Sequence, residues 1–95
     1  MSSRRQQVAF FRKLYLAHLI ASERHNLLSL HQLTAMPRRT IQDALTDFMD
    51  LGIELEFVQD GPRNNAGYYR INDWGPVNPQ WIAGHLEAIQ AILTH

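Results

Sequence analysis

At Gly52 the spacing of the apolar side chains changes from helical to strand-like. Ahead of it, Ile41, Ala44, Leu45, Phe48 and Leu51 share one face of a helix, while Arg39, Gln42, Asp43, Thr46, Asp47 and Asp50 point elsewhere. Beyond it, Ile53, Leu55 and Phe57 alternate with Glu54 and Glu56, the pattern of a half-buried strand. A glycine at the junction can take the left-handed conformation that stops a helix, which lets Ile53 pack back on Phe48 as in a Schellman ending. The chain is therefore expected to be α+β, mostly α, with its helices ahead of its strands.

The remaining elements follow from local chemistry. Apolar spacing at Val8, Phe11, Leu14, Tyr15, His18 and Leu19, widened by Phe10, Leu16 and Ile20, predicts a first helix over residues 3–22 buried on two sides. Ser29 with Gln32 three residues later fits a capping box that opens a short second helix, with Leu30 and Leu33 facing inward. Pro37 suits the first turn of a third helix, predicted over 37–51. Residues 60–67 are turn formers and predict a protruding hairpin tip before a second strand that begins at Tyr68. Residues 73–77 read as a linker, and Asn78 with Pro79 as the start of a final helix through Leu93.

Ninety-five residues with 45% hydrophobic content bound the chain to one compact unit, read as a core over 1–77 with a C-terminal helix over 78–95. The absence of cysteine excludes disulfides, thiolate zinc clusters and a cysteine nucleophile, and suits a reducing, cytoplasmic setting. Arg12, Lys13 and His18 interrupt the longest apolar stretch, so no membrane span is expected, and nothing after Arg4 and Arg5 reads as a cleavable leader. The zero net charge hides a split: residues 1–40 hold seven of the nine Arg and Lys beside a single acid, Glu23. Such asymmetry suits a polyanion on one face.

Leu30 to Ile41, read Leu-His-Gln-Leu-Thr-Ala-Met-Pro-Arg-Arg-Thr-Ile, resembles the helix-turn-helix of bacterial winged-helix regulators. Gly52, the alternating strand, the glycine-rich tip and Gly67-Tyr68-Tyr69-Arg70-Ile71 resemble the wing that follows it. With Trp74-Gly75 and a last helix, the chain resembles a group of small stand-alone bacterial winged-helix proteins. Two positions depart from the pattern: Ala35 stands where the turn commonly has glycine, and His31 where a small alanine usually packs between the helices. The resemblance implies a three-helix core, a two-stranded wing hairpin and a C-terminal helix, with double-stranded DNA as partner.

A recognition helix inserts its N-terminal half into the major groove, which selects Arg38, Arg39, Gln42, Asp43 and Thr46, with Thr40 at the shoulder. Arg can bond guanine twice, Gln can bond adenine twice, and Thr can meet phosphate or a thymine methyl. Asp43 would repel phosphate unless it pairs with Arg39 or accepts from a cytosine amine, while Asp47 and Asp50 read as a solvated face turned away. Arg63, Asn64 and Asn65 at the tip suit the minor groove or phosphate, though Asn also serves plain turns. Arg4 and Arg5 are either phosphate donors or frayed terminal charge.

The final helix is apolar at Ile82, Leu86, Ile89 and Leu93, flanked by Trp81, His85 and Ile92, and as one continuous rod it would carry a seam for a homodimer, alone or with the first helix. The alternative is that it docks wholly on its own domain. Five histidines without metal spacing, no nucleophile motif and no phosphate-binding glycine loop argue against an enzyme, and no cofactor or small-molecule ligand is indicated. The competing reading is a winged-helix adaptor that binds protein, favoured by the neutral charge.

Overall fold

The computed structural model describes residues 2–62 and 66–94. Helices α1 (Ser2–Ser22), α2 (Leu27–Thr34) and α3 (Arg38–Thr46) lead into a 3-10 turn (Asp47–Leu51). The antiparallel pair β1 (Glu54–Gln59) and β2 (Gly67–Asp73) follows, then two short helices, α4 (Pro79–Gly84) and α5 (Leu86–Leu93). This is the mostly helical α+β order that the sequence predicts.

Several boundaries differ, each for a local reason. The capping box sits one turn earlier than expected: Asn26 Oδ1 accepts from the Ser29 amide at 2.8 Å, and Ser29 Oγ accepts from the Asn26 amide at 2.9 Å. Asn caps as well as Ser, so the polar string after α1 already holds the start of α2. Leu30 is fully buried, but Leu33 turns outward and is 57% exposed. Pro37 is the N-cap of α3 rather than its first-turn residue, and the α-helix stops at Thr46 before tightening into the 3-10 turn.

The stop at Gly52 is as predicted. Gly52 has φ +84°, its amide donates to Met49 at 3.0 Å, and the Ile53 amide donates to Phe48 at 3.0 Å, the paired bonds of a Schellman motif. Phe48 and Ile53 share one core cluster. The chain returns to the same corner after β2: a Cβ on Gly75, at φ +58°, would lie 2.2 Å from the Gly52 carbonyl oxygen. Gly75 is thus fixed by close backbone approach and Gly52 by its positive φ and by the Pro76 ring, 2.7 Å from where its Cβ would lie, and Trp74 beside them packs on both core clusters.

Helix α1 is buried on two sides. Leu16, Ala17 and Ile20 enter the larger cluster with Leu30, Ile41, Leu45 and Phe48, whereas Leu14 joins Ile82 and Ile89 in a smaller one. The C-terminal segment breaks at His85 instead of forming one rod. The His85 amide reaches only Ile82, at 3.0 Å, because its ring Nδ1 donates to the Trp81 carbonyl at 2.6 Å, the acceptor a continuing helix would have given the amide. Gly84, a weak helix former, precedes the break. Ile82 and Ile89, each 1% exposed, are buried within their own chain, where each gains about 1.5–3 kcal/mol.

Candidate nucleic-acid interface

The turn that aims α3 is built around the two residues that depart from the helix-turn-helix pattern. Ala35 adopts the left-handed conformation, φ +61° and ψ 8°, and its amide closes α2 on the His31 carbonyl at 2.8 Å. His31 Nδ1 donates to the Met36 carbonyl at 2.6 Å, so that nitrogen carries the ring proton. Thr34 Oγ1 donates to Leu30 at 2.7 Å and accepts from the Met36 amide at 3.1 Å. These bonds hold an alanine where glycine would be unstrained, so the larger side chain at 31 fixes the turn from outside.

Helix α3 buries Ile41, Ala44 and Leu45 and presents the opposite face to solvent. Arg38, Arg39, Gln42, Asp43 and Thr46 are exposed and Thr40 is half-buried, so the six predicted side chains lie on the outer face and shoulder of one helix. Neither arginine belongs to an ion pair among the described residues, and Thr46 Oγ1 is bonded to the Gln42 carbonyl at 2.9 Å. The expected Arg39–Asp43 pair is not formed.

The acids behave differently from one another. Asp47 is not simply solvated: its carboxylate lies 3.2 Å from Lys13 Nζ of α1, which neutralises it at the back of α3. Asp43 lines, with Thr40, Arg12 and Lys13, a groove of about 210 Å³ between α1 and α3, where two cations offset two acids. Asp50 is exposed beyond α3.

The hairpin pairs Leu55 with Ile71, Phe57 with Tyr69 and Gln59 with Gly67, with an irregularity beside Glu54 that lets Ile53 stay in the core. Tyr69 and Phe57 meet edge to face, 5.1 Å between centroids, and burial pushes the Tyr69 hydroxyl pKa up. Glu56 is held below the usual carboxylate range first by the Arg70 hydrogen bond and then by Asn72. The Asp60 amide donates to Ala66 at 2.9 Å and closes the tip, while Arg63, Asn64 and Asn65 lie outside the described residues. The loop before α2 clamps the hairpin: Arg24 stacks over Tyr68 at 4.5 Å and lies 3.7 Å from Asp60, and the His25 carbonyl accepts from the Tyr69 amide at 2.8 Å. Sequence reading missed Arg12, Lys13, Arg24 and His25, whose roles depend on elements far apart in the chain.

Of the residues expected to pair copies, Ile82 and Ile89 are spent on the core, Leu86, Ile92 and Leu93 are half-buried, and Trp81 and His85 are exposed and stacked 4.0 Å apart. Among the described residues, no helix is long and apolar enough to cross a membrane, and no three His, Asp or Glu side chains could hold a metal ion together.

Residues 5–93 match a family described as winged helix-turn helix. The chain is also similar to a solved structure, a DUF2131 family protein from Shewanella amazonensis, at 60% identity over 93% of this chain and 91% of that one, with a TM-score of 0.87. No curated protein matches the sequence significantly.

Proposed function

Because the chain belongs to a winged helix-turn-helix family, we propose that it is a sequence-specific, homodimeric DNA-binding protein, a cytoplasmic transcriptional regulator with no catalytic role. In this reading α3 enters the major groove with Arg38, Arg39, Gln42 and Thr46, Asp43 accepts from a cytosine amine, and Thr40 meets the backbone. The hairpin tip, with Arg63, Asn64 and Asn65, reaches the flanking backbone or minor groove. The observation that carries the reading is the outer face of α3: two arginines that pair with no carboxylate among the described residues stand beside an exposed amide and a hydroxyl. Each bidentate base contact there discriminates by about 1–3 kcal/mol.

The Lys13–Asp47 pair supports it by withdrawing one carboxylate from the approach of phosphate. The zero net charge favours the second reading, a protein-binding adaptor, because little non-specific attraction to DNA is then available. Selection from a random duplex library separates the two. A regulator enriches an inverted repeat with half-sites about 34–36 Å apart or a multiple of that, and Arg39→Ala loses preference at one base per half-site. A library that enriches no motif overturns DNA reading and leaves the adaptor.

A further inference from the structure

DNA reading of this kind needs α3 and the hairpin tip to meet one duplex together, so the angle between them matters as much as the residues each carries. The hairpin packs on the larger core cluster through Leu55, Tyr69 and Ile71. Between β2 and the end of α1 a groove of about 340 Å³ stays open, lined by Ile20, Ser22, Arg24, Tyr68 and Arg70, so strand and helix do not pack tightly side by side. Arg24 reaches across. Its guanidinium lies 4.5 Å over the Tyr68 ring, at the start of β2, and 3.7 Å from the Asp60 carboxylate, just past the end of β1. One side chain therefore holds both strands at the tip end, beyond the last pair, Gln59 with Gly67.

The loop that carries Arg24 is itself fixed to the reading helix. Next to it the His25 carbonyl accepts from the Tyr69 amide at 2.8 Å, and the buried His25 ring places Nδ1 3.0 Å from Ser29 Oγ in α2. Asn26 caps the same helix through the Ser29 amide, and the bonds of His31 and Thr34 to Met36 then carry the chain into α3. We propose that Arg24 is the positioning residue of the wing, fixing the hairpin tip at the angle to α3 that lets both meet one duplex. This deepens the DNA reading and rests on it.

Position, more than stability, is what these contacts supply. The side chains of Arg24 and Asp60 are 72% and 64% exposed, and ion pairs and ring contacts so exposed to water add little to global stability. Their place is what matters, because a small rotation of the hairpin about its root becomes a large displacement at its tip. Arg24 also offsets the Asp60 charge, which would otherwise meet phosphate beside the tip, as Lys13 does for Asp47. A planar guanidinium can lie on a ring while its edge faces a carboxylate, which an ammonium does less well. The Arg70–Glu56 pair, by contrast, lies within the hairpin.

Arg24→Gln and Tyr68→Leu test the role, with affinity for a selected duplex followed across salt and amide hydrogen exchange followed in the DNA-free protein. Arg24→Gln should melt like the wild type. Both variants should bind more weakly on every sequence while keeping the same base preference, with log K losing about 0.9 less per decade of salt for each tip phosphate contact given up. Tyr68→Leu changes no charge, so a matching loss there cannot come from a missing cation, and Arg24→Lys should recover only part of the affinity. Without DNA, the Tyr69 amide should exchange faster in both variants while the amides of α2 stay protected. A wild type that binds no duplex overturns the DNA reading and the role of Arg24 together. A wild type that binds, with Arg24→Gln binding equally well, overturns the role alone. So does a loss confined to Arg24→Gln, which would make Arg24 a direct phosphate contact, or Tyr69 exchange unchanged in both variants.

Discussion

Replacing Ala35 with glycine should stabilise the protein, an unusual direction for a change to glycine. Ala35 sits at φ +61°, where the methyl of an L-residue crowds the following carbonyl at a cost of roughly 1–2 kcal/mol. The same methyl is solvent-exposed, so its removal opens no cavity. Against the relief stands the extra chain entropy of an unfolded glycine, about 0.4–1 kcal/mol. The difference spans about 0–1.6 kcal/mol with a central gain of about 0.8 kcal/mol, and for a domain of this size each kcal/mol raises Tm by about 4–8 °C. Thermal melts by circular dichroism, with wild type and Ala35→Gly at equal concentration, would show the variant melting a few degrees higher. If its Tm is lower while its spectrum is native, the turn is not strained at Ala35 and the account of His31 and Thr34 as its external support is wrong.

Other consequences bear on packing and ionisation. Ile89→Ala removes a side chain 1% exposed against Leu14 and Ile82, so urea unfolding should show a loss of about 2–5 kcal/mol; a loss below 1 kcal/mol, on the same scale, would mean α5 is not docked. The Tyr69 hydroxyl pKa is raised by burial, so the unfolded chain gives up this proton first. The stability Tyr69 contributes is fully present below the ordinary tyrosine pKa near 10 and is lost as pH rises through the higher folded value. Melts between pH 9 and about 12 should therefore fall less steeply for Tyr69→Phe than for wild type.

Periodicity made the fold legible because it reports burial directly: Ile41, Ala44, Leu45 and Phe48 are all in the core, and the Gly52 stop is where the period changes. The errors arose where two local solutions compete. Asn26 and Ser29 can both open α2, and only the observed bonds choose between them. The final helix reads as continuous because apolar spacing does not report that the His85 ring takes the Trp81 carbonyl from the backbone. Spacing likewise does not show which face of an apolar helix its own domain covers, so Ile82 and Ile89 read as a seam although they meet Leu14. The outer face of α3 was readable from residue type and helix phase alone. The charges that surround it were not, since Lys13 meets Asp47, and Arg24 meets Asp60, across distant parts of the chain.

The most direct test of DNA reading through α3 is the salt dependence of binding to a selected duplex, compared between wild type and Arg38→Ala/Arg39→Ala. The account predicts that wild-type affinity falls steeply as salt rises, with log K losing about 0.9 per decade of salt for each phosphate neutralised. The double variant should bind at least tenfold more weakly and lose its preference for the selected sequence, with a shallower slope for each of the two arginines that rests on phosphate rather than on a base. Superimposable curves for the two proteins, or no binding by the wild type even at low salt, would contradict it.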